Sequence, residues 1–153
     1  MSIAQLKNIN LYYEIHGKGD PVIFIPDILE SSQSWQFIVN KLSKHFQLIL
    51  FDNRCVGKSD CPSDDITIST MAEDTVALME FLKIDKAHIV GHGMGGFIAQ
   101  EIAIKFPGKV DKLVLESTAP YSNLRQNRLL NNFYNLLVKG TDRELWFRDY
   151  FLW

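Results

Sequence analysis

The residues with the clearest chemical content run from Lys86 to Phe97: Lys-Ala-His-Ile-Val-Gly-His-Gly-Met-Gly-Gly-Phe. A short apolar strand leads into a glycine-dense turn and then an apolar helix. This is the layout of a nucleophile elbow, G-x-S-x-G, in which a serine held at a sharp strand-to-helix turn attacks a carbonyl. Here the central residue is Gly93, which has no side chain and cannot attack. A nucleophile at such a turn sits at a strained backbone angle, so glycine relieves roughly 1–3 kcal/mol while removing the reagent. The same residues satisfy a second fingerprint. Gly91, Gly93 and Gly96 fit G-x-G-x-x-G after a strand and at a helix start. Glu116 follows about 20 residues later, where an acid would hold a ribose. Taken alone, the window fits dinucleotide binding well, which makes that the rival to acyl chemistry.

Alternating elements must position this turn. Ile3–Lys7 and Asn10–His16 read as a β-hairpin. Val22–Ile25 is uniformly apolar, as parallel-sheet strands are, and Gln47–Asp52, Lys86–Val90 and Leu113–Leu115 read as three further buried strands. Residues 32–44 fit a helix with Trp35, Ile38, Val39 and Leu42 on one stripe. Thr70 and Glu73 form a T-x-x-E capping box for a helix to about Leu82. The helix after the glycine turn ends at Phe106, before Pro107-Gly108. Strand–helix alternation predicts an α/β fold, a mostly parallel sheet with helices on both faces. After Pro120 the pattern becomes helical at 124–138 and 142–153, the second opened by a capping box at Thr141 and Glu144.

Neighbouring motifs favour the acyl reading. Phe51-Asp52-Asn53-Arg54-Cys55-Val56-Gly57-Lys58-Ser59 resembles the D-x-R-G-x-G-x-S loop of the α/β-hydrolase family, with Cys55 in the first glycine place. Ile25-Pro26-Asp27-Ile28, then Ser31-Ser32 and Trp35, is similar to that family's oxyanion loop. Phe106-Pro107 and Val110, and Leu113-Val114-Leu115-Glu116, look like its next helix end and strand. The resemblance implies an α/β-hydrolase core over residues 1–120 and the start of a helical cap over 121–153. It also implies carbon–heteroatom hydrolysis of small esters, lactones or carbamates. The pattern over 88–121 looks most like the enol-lactonase and aminoacrylate or carbamate hydrolase branches; in the latter a small residue can replace the serine.

The resemblance assigns roles, and the chain departs from several of them. The nucleophile position is Gly93, and the oxyanion hole falls to the backbone N–H groups of Ile28 and Met94. Pro26-Asp27 replaces the usual His-Gly, so Asp27 puts a carboxylate beside a hole built for negative charge. The family's base is a late histidine, whereas the four here are His16, His45, His88 and His92. His92 reads as a packing and hydrogen-bonding residue. Glu116 stands near the place where some branches, such as haloalkane dehalogenases, keep their acid. Asp52 and Arg54 read as loop braces. Asp27, Ile28, His92, Gly93, Met94 and Tyr121 are the expected pocket residues, and Trp146, Tyr150 and Trp153 read as aromatic cap packing. Nucleophile, base and acid being absent, the expectation is a protein silent by the triad route. The alternatives are a non-catalytic module for a small ligand or partner, and dinucleotide binding at the glycine turn.

Bulk properties bound these readings. With 153 residues, 46% hydrophobic and 12% aromatic, the chain can bury one globular core. A formal net charge of −2 gives no basic face for nucleic acid. The first residues resemble no signal peptide, and no apolar run is long enough for a bilayer, so the expected location is cytoplasmic. Cys55 and Cys61 read as two reduced thiols, and neither a metal nor a cofactor is expected. The apolar ending at Phe151-Leu152-Trp153 is unlike a natural terminus. The expectation is that self-association or a C-terminal fragment covers an exposed sheet edge.

Overall fold

The computed structural model describes residues 2–63 and 66–121. The chain divides into two compact units, Met1–Pro120 and Tyr121–Trp153, and the fold below is that of the first. The helices expected at 124–138 and 142–153, with Thr141, Glu144, Trp146, Tyr150 and Trp153, lie outside the described residues.

Six strands form one mixed sheet in the order β1-β2-β4-β3-β5-β6. β1 (Ser2–Gln5) and β2 (Asn10–His16) are the expected antiparallel hairpin, and β2 also pairs antiparallel with β4 (Phe46–Phe51). β3 (Asp20–Ile25) lies parallel to both β4 and β5 (Ala87–His92), and β5 parallel to β6 (Val110–Glu116). The apolar runs within β3 and β4, Val22–Ile25 and Leu48–Phe51, have their cause in coverage of both faces. Ile23, Ile25, Ile49 and Phe51 belong to one core cluster, with Met79, Ile98 and Ile102. Val22, Phe24, Leu48 and Leu50 belong to the other, with Trp35 and Val39. Alternate residues of each strand therefore serve opposite layers.

Four expectations are corrected. The helix over 32–44 is a 3₁₀ turn, Ser32–Trp35, followed by a short α1, Gln36–Leu42. The cap of α2 (Ile68–Phe81) is Thr67, not Thr70. Thr67 is extended and its hydroxyl accepts the Thr70 N–H at 3.0 Å, so the helix starts one turn earlier and Thr70 falls inside it. Cys55 and Cys61 are joined in a disulfide rather than reduced. The loop turns back on itself through Cys55 N–H to the Asp60 carbonyl, 2.9 Å, so the cysteines give no support to a reducing compartment. Leu113, Val114 and Leu115 are 37%, 50% and 43% exposed rather than buried. β6 ends the sheet among the described residues, and an apolar run is buried only where neighbours flank it.

Two polar clusters hold the loops that frame the carboxyl ends of the strands. Arg54 Nε and Nη2 donate to Asp74 Oδ2 and Oδ1 of α2 at 2.7 and 2.9 Å, with both residues buried. Glu14 of β2 accepts from Tyr12 Oη (2.8 Å), His16 Nε2 (2.8 Å), Gln33 Nε2 (3.2 Å) and Gln36 Nε2 (3.1 Å). Burial alone would raise the Glu14 pKa; hydrogen bonds from His16, Tyr12 and Gln36 outweigh it and hold the carboxyl below its ordinary value.

Asp74→Ala leaves the buried Arg54 guanidinium without its bidentate acceptor, and urea unfolding should show a loss of about 3–5 kcal/mol. Glu14 is ionised above its unfolded value and favours the folded chain there. Below about pH 4.5 the unfolded chain takes the proton first, and this stabilisation fades as pH falls through the lower folded value. Glu14→Gln should therefore flatten the acid limb of the stability–pH curve, followed by thermal melts across that range.

Candidate active site

Parallel strands bring the carboxyl ends of β3 and β5 side by side, so the loops leaving them meet. β3 runs into Pro26-Asp27-Ile28, and β5 into Gly93 and α3 (Met94–Lys105). Gly93 has φ 53° and ψ −116°, a left-handed conformation that residues with a Cβ rarely adopt. Its N–H donates to the Glu116 carbonyl at 3.0 Å, and its carbonyl accepts from Gly96 N–H at 3.1 Å. The other glycines serve close packing: a Cβ on Gly91 would meet the Gly95 carbonyl, one on Gly95 the Ile25 carbonyl, and one on Gly96 the Thr118 side chain. The turn is thus a strand-to-helix elbow with its first helical N–H, that of Met94, facing the β3 loop.

Asp27 occupies the point where these loops converge. Its Oδ1 accepts from Met94 N–H at 2.6 Å and from Ile28 N–H at 2.7 Å. These are the two donors expected to form an oxyanion hole, and one carboxylate oxygen now takes both. The start of α3 adds a favourable field for that negative charge. A Cβ built on Gly93 would fall within the Asp27 carboxylate, so this carboxylate also fills the space a nucleophile's side chain would use.

Beside this contact lies a cavity of about 160 Å³ lined by Glu30, Ser34, Trp35, Phe37, His92 and Glu116. His92 Nδ1 is 3.6 Å from Glu30 Oε2, and its ring meets Trp35 edge-on at 6.2 Å between centroids. Glu116 stands opposite His92 in the β5–β6 register. The structure therefore joins Asp27, Ile28 and Met94 in one hydrogen-bonded knot against Gly93, with His92 and Glu116 at the adjoining cavity. Tyr121 opens the second unit, and its expected place in the pocket lies outside the first. Glu30, Ser34 and Phe37 were missed by sequence reasoning; their only signal is position, flanking the expected Ser31-Ser32 and Trp35. Asp52 and Arg54 stand as braces: Asp52 Oδ1 accepts Ser32 N–H at 2.7 Å and Oδ2 accepts Lys58 N–H at 2.9 Å. Among the described residues no group of three or more His, Cys, Asp or Glu could hold a metal ion, and no helix is long and apolar enough to cross a membrane.

A family model for the alpha/beta hydrolase fold matches residues 20–142. The chain belongs to the α/β-hydrolase fold family. "Putative non-heme bromoperoxidase BpoC" of Mycobacterium tuberculosis is 39% identical over 112 residues, which cover 72% of this chain and 42% of that protein. "Putative carbamate hydrolase RutD" of Agrobacterium fabrum is 30% identical over 136 residues, covering 85% and 52%. The enol-lactonase from Burkholderia xenovorans LB400 superposes with a TM-score of 0.75 at 28% identity, over 77% of this chain and 47% of that one. The chain spans about half the length of the curated α/β-hydrolase relatives it matches.

Gly93→Ser places a Cβ in a left-handed conformation and against Asp27. Thermal and urea unfolding should register a loss of about 1–3 kcal/mol from the backbone alone, with the steric conflict adding to it.

Proposed function

We propose that this α/β-hydrolase chain carries the acyl-binding part of a site for small esters, lactones or carbamates, and that in this form it turns none of them over through a nucleophilic serine. The observation that carries the reading is Gly93 at the elbow: the turn and its backbone donors are built, and the attacking group is missing. The relatives named for carbamate hydrolysis and for enol-lactone opening support the substrate class. The cavity beside the elbow suits a compact neutral ligand: Trp35 and Phe37 offer apolar faces, and His92 offers a hydrogen-bonding nitrogen. Catalysis by oxyanion donors alone would be slow in any member of this fold, and here both donors already serve Asp27.

Dinucleotide binding finds little support in the turn. A pyrophosphate at the start of α3 would have to displace a carboxylate from the Met94 N–H, and the glycines are each spent on an internal close approach.

Mixed with p-nitrophenyl acetate, the purified chain should give neither a burst nor turnover above a heat-unfolded control. A burst stoichiometric with protein would overturn the reading. Small neutral lactones and carbamates at millimolar concentration should raise Tm without being consumed, whereas nicotinamide and flavin dinucleotides should leave it unchanged. A dinucleotide shift with none from lactones would transfer the site to the rival reading.

A further inference from the structure

We propose that Asp27 and Gly93 form one autoinhibitory pair: the Asp27 side chain closes the acyl site from within, and the missing side chain at 93 is what admits it. The inference rests on the reading of the elbow as an acyl site and names how that site is kept shut.

Three observations converge on it. A single oxygen, Asp27 Oδ1, takes both amide donors, at 2.6 and 2.7 Å, and these donors come from different loops. A substrate carbonyl would need the same two hydrogens in the same place. The volume belonging to a Cβ at residue 93 is filled by that same carboxylate. The two positions are therefore exclusive: a side chain at 93 expels Asp27, and Asp27 in place forbids a side chain at 93. The contact also spans 67 residues of sequence between neighbouring strands, so the carboxylate is delivered by the fold rather than by a local turn alone.

The pair has a definite consequence for what the site can hold. A tethered carboxylate competes with any free ligand at high effective concentration. A free carboxylate, or a carbonyl developing negative charge, meets both an occupied hole and a fixed negative charge. Neutral ligands in the adjoining cavity are unaffected. Removing Asp27 opens the hole without placing a Cβ in the left-handed conformation of residue 93.

The test is an amide-resolved NMR titration of the full 153-residue chain with sodium acetate, matched against sodium chloride. Acetate reproduces the Asp27 carboxylate and its Cβ. In the native chain the Ile28 and Met94 amide signals should not respond to acetate beyond the chloride control. In Asp27→Gly the same two signals should move saturably, and the destabilisation by Gly93→Ser should shrink relative to its value in the native background. Equal acetate responses in native and variant chains, or none in a folded variant, would overturn the proposal. Should Asp27→Gly fail to fold, Asp27→Asn keeps the shape and one acceptor oxygen while removing the charge. Both amide protons should then shift upfield against an otherwise unchanged spectrum, and unmoved signals would overturn the proposal. This readout follows amides rather than turnover, so an ester burst would refute the proposed function while leaving this inference to stand or fall by itself.

Discussion

Asp27 Oδ1 lies within hydrogen-bond distance of the backbone nitrogens of Ile28 and Met94, and this contact joins the two loops that leave the sheet at neighbouring parallel strands. The rest of the site is arranged around it. Gly93 must be left-handed for the chain to turn from β5 into α3, and Gly95 must lack a Cβ for α3 to lie against the Ile25 carbonyl. Only with that close packing does the Met94 N–H reach the β3 loop. The carboxylate then satisfies a helix-start donor that would otherwise need water or a ligand. On the proposed reading, donors that would hold a reacting oxygen are here spent on an internal acceptor.

The second set of constraints acts one layer out. Asp52, at the end of β4, receives the N–H of Ser32 and so fixes the start of the 3₁₀ turn that carries Trp35 into the cavity wall. Arg54 ties the same loop to α2 through Asp74, while Glu14 ties β2 to Gln33 and Gln36 across the front of the 3₁₀ turn and α1. The cavity is therefore bordered by segments anchored to three different elements. Its shape depends on polar contacts, some of them buried, rather than on apolar packing alone, which makes it sensitive to single charge deletions.

Much of the fold was legible because its causes are local or periodic. The runs Val22–Ile25 and Leu48–Phe51 are apolar at every residue since each face meets a separate core cluster, and that uniformity is visible in sequence. The elbow was legible because close approach demands glycine at fixed spacing. β6 was misjudged for the complementary reason: Leu113–Leu115 has the composition of a central strand, but composition does not record whether a neighbour is present. The Cys55–Cys61 bond depends on a loop reversal, sealed by the Asp60 carbonyl, that no spacing rule specifies. Asp27 could be placed near the donors from its motif position. That one oxygen would take both required the register of β3 against β5.

A second place in the chain repeats the Asp27–Gly93 arrangement and clarifies what it is. Gly57 is left-handed (φ 57°), a Cβ on it would fall within the Asp52 carboxylate, and the next residue, Lys58, donates its N–H to that carboxylate at 2.9 Å. Gly93 is left-handed (φ 53°), a Cβ on it would fall within the Asp27 carboxylate, and the next residue, Met94, donates its N–H to that carboxylate at 2.6 Å. In both, a positive-φ glycine clears room for an aspartate that caps the following amide and, through its second bond, pins a neighbouring backbone: Ser32 in one case and Ile28 in the other. The Asp52 case is a loop brace with no reacting group near it in the family motif. The elbow uses the same device. Gly93 and Asp27 therefore belong together. They are the two components of one brace, in which the carboxylate fills the space that a Cβ at 93 would need.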